Sequence, residues 1–86
     1  MVSLFKKVFP ELVHEAESLL IRRIAYDLDG NPEYIGQANP GALDADDAWF
    51  VRRIAYEGGN PVSILFAEGS TKFNKRWDLR GSYDYR

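Results

Sequence analysis

Two short stretches, IRRIAY at 21–26 and VRRIAY at 51–56, set arginine pairs among aromatic residues. Arginines beside rings are what a nucleic-acid platform uses: guanidinium groups grip phosphate while bases stack on the rings. Two acidic segments suggest a cation instead. The stretch DLDGNPE offers oxygens at Asp27, Asp29, Asn31 and Glu33, an alternation like that of a calcium loop, and DADD adds Asp44, Asp46 and Asp47. Acid–base chemistry would have to use His14, the only histidine.

Each of these readings meets a difficulty in the residues themselves. A calcium loop needs glycine at its sixth position, whereas here Gly30 is fourth and Pro32 sixth; the second copy, EGGNPVS, has neither aspartate. A single histidine cannot build a triad or a histidine cage within one chain. The absence of cysteine removes thiolate zinc sites, disulfides and cysteine nucleophiles together. YIGQANPG has two glycines but neither the dinucleotide nor the P-loop spacing. The net charge of -2 disfavours a nucleic-acid partner, since such modules carry a basic surplus. The residues therefore predict no catalytic, metal or cofactor site. The arginine stems are expected to cover a strand's open face while their heads stay in water.

The repeat that carries the arginines is longer than six residues. Residues 19–38 and 49–67 each read as strand, turn, strand, with turns DLDGNP and EGGNP dense in residues that accept left-handed or fixed backbone angles. Trp49 and Val51 share one strand face, and Ile54 and Tyr56 the other. The change of phase at Arg22-Arg23 and Arg52-Arg53 predicts a β-bulge or sharp twist at each pair. Pro40-Gly41 in the linker is a type II turn candidate. Phe73 and Trp77, four apart, with Ser70 or Thr71 as cap and Gly81 as stop, predict a short helix near 70–79. SYDYR predicts a closing strand with Tyr83 and Tyr85 on one face. The expected fold is mainly β (α+β): an antiparallel meander of two repeated hairpins plus a C-terminal strand, with the short helix and an N-terminal helix.

The chain has 86 residues, 45% of them hydrophobic and 14% aromatic, enough for one domain with a thin aromatic core. We divide it into an arm at 1–19 and a β-rich domain at 20–86. Pro10 is expected to start a helix, PELVHEAESLL, with Leu12, Ala16 and Leu19 or Leu20 on one stripe and Glu11, Glu15 and Glu17 among its polar positions. Before it, MVSLFKKVF gathers Leu4, Phe5, Val8 and Phe9, a candidate partner-docking segment. The sequence shows no membrane-length apolar run and no signal-peptide pattern, so a soluble chain folded in a cytoplasm is expected, with no membrane partner.

The ordered set YIGQANPG (34–41), AWFVRRIAYEGGNPVSILFAEGSTKF (48–73) and WDLRGSYDY (77–85) resembles a group of small accessory or virion-associated proteins encoded by tailed bacteriophages. That group shows Y-x-G-x-A-x-P-G, then W-x-I-x-[KR]-I, an apolar strand ending in A-x-G, a phenylalanine, and W-D-x-R-x-S-x-x-Y. Val51 stands where isoleucine is usual, and the segment before Leu19 has no counterpart. The matching positions are Tyr34, Gly36, Pro40, Gly41, Trp49, Ile54, Phe73, Trp77, Asp78, Arg80 and Tyr83. An Asp78–Arg80 element is expected to tie down the tail. The resemblance implies a non-enzymatic structural or accessory part of a virion, such as a capsid decoration, neck, tail or fibre-attachment component. Its partners would be other virion proteins or copies of itself. The alternative is a small phage-encoded module that binds a host protein or nucleic acid. A single face holding Arg22, Arg23, Arg52, Arg53, Arg76 and Arg80 would favour the latter.

Overall fold

The computed structural model describes residues 19–86. They form one antiparallel sheet of four strands in sequence order: β1 (Ile21–Tyr26), β2 (Pro32–Ala38), β3 (Phe50–Glu57) and β4 (Asn60–Phe66). The protein is thus mainly β, with little helix among the described residues. The predicted N-terminal helix and the docking residues Leu4, Phe5, Val8 and Phe9 lie outside them.

Turn chemistry fixes how the strands meet. In the first turn, Asp27 Oδ1 accepts from the backbone N–H groups of Asp29 and Asn31, both at 2.9 Å, and Gly30 takes φ 85°. The second turn is shorter, because Gly58 (φ 57°) and Gly59 (φ 84°) both adopt the left-handed angles that a two-residue hairpin needs. Between the pairs of strands, Pro40 and Gly41 (φ 93°) close a turn in which Ala42 N–H donates to Asn39 O at 3.2 Å.

The bulges lie away from the arginine pairs. Alternation runs unbroken through Arg22-Arg23 and Arg52-Arg53, and the register shifts between Ala25 and Tyr26 and between Ala55 and Tyr56. Opposite these shifts, Pro32 pairs with Tyr26 and Pro61 with Tyr56, which leaves Glu33 and Val62 as the extra residues. Proline has no N–H to give to the ladder, so the irregularity follows the repeated Asn-Pro of each turn. The apolar pattern breaks at the arginines because a charged residue takes an inward position there. The backbone itself does not slip.

Alternation then defines two faces. Ile21, Ala25, Tyr34, Ala38 and Val51 pack on one side, with Gly36 among them, over a core of Trp49, Trp77 and Ala67. The other side carries Ile24, Ile35, Phe50, Ile54, Ile64 and Phe66.

The C-terminal segment departs from expectation. No helix spans 70–79; a 3-10 helix covers Trp77–Ser82. Lys75 instead bridges to Trp49, with N–H···O contacts of 2.8 and 2.9 Å in the two directions. The reason is where the rings go. Phe73 packs against Phe50 on one sheet face and Trp77 against Trp49 on the other, with centroids 5.6 and 6.0 Å apart. Reaching both faces within four residues takes an extended chain of about 13 Å, more than twice what a helical turn spans. The expected closing strand is reduced to one bridge, Ala67 with Tyr85, and Tyr83 and Tyr85 both lean on the core.

Candidate functional site

Most positions that carry the phage-like pattern meet at the covered face of the sheet. Gly36 is their seat. A Cβ there would lie 2.6 Å from Cε3 of Trp77 and 3.1 Å from Cε3 of Trp49, so only glycine lets both indoles rest on β2. Trp49 is fully buried, and its Nε1–H donates to Leu43 O at 2.9 Å, which anchors the acidic linker. Asp46 closes the linker by accepting from Leu43 N–H at 2.8 Å, and Asp44 O accepts from Asp78 N–H at 3.0 Å.

Arg80 lies over the Trp77 ring at 4.6 Å and donates to Trp77 O at 3.1 Å. Tyr83 Oη accepts from Arg76 N–H at 2.8 Å, while Tyr85 Oη donates to Arg80 O at 2.6 Å. Burial, reinforced by Tyr34 and Tyr83, raises the Tyr85 hydroxyl well above its ordinary range and keeps the donated proton in place. Tyr34 and Tyr85 meet at 5.6 Å.

Asp78 does not pair with Arg80, although Arg80 does hold the tail through its carbonyl, which accepts from Tyr85. Asp78 pairs with Arg76, through Nε to Oδ1 at 3.0 Å and Nη2 to Oδ2 at 2.8 Å. This hydrogen bond holds the Asp78 carboxyl below its ordinary range and raises Arg76. Arg80 lies over Trp77, and Arg76 makes both contacts with the carboxylate. Four other pattern positions lie elsewhere, Pro40 and Gly41 being in the exposed linker turn. Ile54 and Phe73 belong to the opposite face, and Phe73 is 42% exposed.

The arginine pairs divide between the two faces. Arg23 lies over Trp49 at 5.5 Å and pairs with Asp44 at 3.4 Å. Arg53 lies over Tyr34 at 5.5 Å and donates to Glu33 at 2.9 Å. On the other face, Arg52 lies over Phe50 at 5.0 Å and donates to Gln37 at 2.8 Å. The six arginines therefore form no single basic face, since Arg22 and Arg52 are on one side of the sheet and Arg23 and Arg53 on the other.

The acidic motif is likewise engaged locally. Asp27 serves the hairpin turn and Glu33 serves Arg53. Among the described residues, no three His, Asp or Glu side chains converge as a metal would need. The arrangement can bury rings and hold a rigid surface. Asp27 and Glu33 also line a cleft of about 350 Å³ together with Arg53 and Tyr56, where the first carboxylate holds the turn and the second holds Arg53.

The sequence did not single out the opposite face. There Phe50 meets Phe66 at 5.8 Å and Phe73 at 5.6 Å, while Ile24 and Ile64 are 45% and 53% exposed. A groove of about 410 Å³ is lined by Leu20, Gln37, Phe50, Arg52 and Phe73. The signal was the even-numbered apolar set of β3, visible once strict alternation is carried through the arginines. No family model, curated protein or solved structure matches the chain.

Proposed function

We propose that the chain is a non-enzymatic structural or accessory component of a tailed-phage particle that acts through protein–protein contacts. Its partners are other virion proteins or further copies of itself, and Leu4, Phe5, Val8 and Phe9 are the docking residues. One observation carries the reading. Tyr34, Gly36, Trp49, Trp77, Arg80 and Tyr83 of the phage-like pattern interlock in one ring-lined core. A motif set used up in building a core is the signature of a fold, and such a fold acts through the surface it presents. The finer architecture fits the same reading, with two copies of a hairpin unit held together by the C-terminal segment.

Deletion of residues 1–9 tests it. The truncated chain should keep the melting temperature of the full chain while losing assembled mass or particle incorporation. Unfolding of the truncated protein, with a monomeric full chain, would place these residues in the domain's own core and defeat the docking assignment.

A further inference from the structure

We infer that the tip of the first hairpin docks, through Leu28, into the groove between Phe50 and Phe73 of a second copy of this chain. Leu28 lies in the turn between β1 and β2 and is fully exposed. The turn is held from within. Asp27 Oδ1 accepts from the N–H groups of Asp29 and Asn31, Asp27 N–H donates to Asn31 O at 2.8 Å, and Gly30 N–H donates to Asp27 O at 3.1 Å. A leucine presented on such a frame has little freedom left to lose on binding. The second hairpin, otherwise a near copy, turns through Glu57, Gly58, Gly59 and Asn60 with no apolar residue at its tip. Leu28 thus serves neither the core nor the closing of the hairpin.

The groove is a matching socket. It is lined by Leu20, Gln37, Phe50, Arg52 and Phe73, and its volume is about 410 Å³. A cavity of about 150 Å³ already takes a benzene ring, so a leucine side chain fits with room to spare. Charge selects the pairing. Asp27 and Asp29 flank Leu28, whereas Arg52 lines the groove and Arg22 stands beside it, opposite Gln37 in the register of β1 and β2. Among the described residues, no carboxylate lines the groove. An acidic tip meeting a basic rim orients the contact. Leu20 precedes β1 and Leu28 follows it, so socket and tip lie at opposite ends of a six-residue strand. That separation is about 20 Å. One copy can engage both at once, and the contact is head-to-tail, building a ring or an open chain of copies. It uses neither residues 1–9 nor the phage assignment.

Sedimentation of the full chain at rising concentration and low salt tests this contact. Wild type should form dimers and larger species. Leu28→Asp should weaken the association at least about tenfold, the effect of losing one buried leucine. Leu28→Met should keep it. Phe73→Glu should block the groove while thermal unfolding stays cooperative; if that variant does not fold, Arg22→Glu, at an exposed strand position, takes its place. Neither the tip variant nor the groove variant should associate alone. An equal mixture of the two should form a dimer, because one keeps its groove and the other its tip. A monomeric wild type overturns the inference. So does association that Leu28→Asp leaves unchanged, which would place the contact elsewhere on the chain, or a mixture that stays monomeric.

Discussion

Gly36 has no side chain because two indoles occupy the space where one would stand. Gly36→Ala should therefore destabilise the fold by about 1–3 kcal/mol, the cost of overpacking. Gly81→Ala, with nothing within 4 Å of the added atom, should stay within about 0.5 kcal/mol. Urea unfolding of the two variants gives the comparison directly. Trp49→Ala and Trp77→Ala should each cost about 3–5 kcal/mol. A loss below about 1 kcal/mol for both would remove the rings from the core. Asp78 adds a pH dependence. Its folded carboxyl sits below its ordinary range, so its contribution is present at neutral pH and fades as pH falls through that lowered value. Asp78→Asn should flatten this part of the acid limb of stability. At this scale the sequence was partly legible: composition predicted an aromatic core, whereas the need for glycine at 36 shows only once the two indoles are placed against it. The partner of Asp78 was missed, since spacing alone cannot tell which of two arginines, each two residues away, reaches both carboxylate oxygens.

At the scale of elements, the strands and their antiparallel order followed from apolar alternation and from turn residues, both of which act locally. The bulges were misplaced because an arginine in an inward position looks, in a binary pattern, like a slipped backbone. The guanidinium of Arg53 over Tyr34 resolves it. The helix expected at 70–79 failed for a tertiary reason, since Phe73 and Trp77 serve opposite faces of the sheet. The hairpin turns give a sharp test. Gly59→Ala must hold a side chain at φ 84° and should cost about 1–2 kcal/mol, read as a shift of the urea midpoint. The arginine pairs give another. With three of the four laid over rings, glutamine at Arg22, Arg23, Arg52 and Arg53 should change nothing in a nucleic-acid binding assay, because wild type should show no salt-dependent binding to lose. Steep salt dependence in wild type, flattened by the replacements, would give the pairs a phosphate role.

As a whole, the molecule is a small sheet with one face closed by rings and a second face of isoleucines and phenylalanines. The closed face takes up Tyr34, Gly36, Trp49, Trp77, Arg80 and Tyr83, and the partly exposed second face is surface on which the proposed protein contacts could form. The second face was hidden in the sequence because its residues are divided among four strands, and nothing local marks them as neighbours. The central claim is that this is a particle component. Mass spectrometry of virions purified from the source of this sequence tests that proposal most directly. The account predicts peptides spanning 19–86 at a fixed ratio to the other structural proteins, retained through density-gradient purification. Their absence from intact particles, with the protein abundant in the infected-cell lysate, would contradict it.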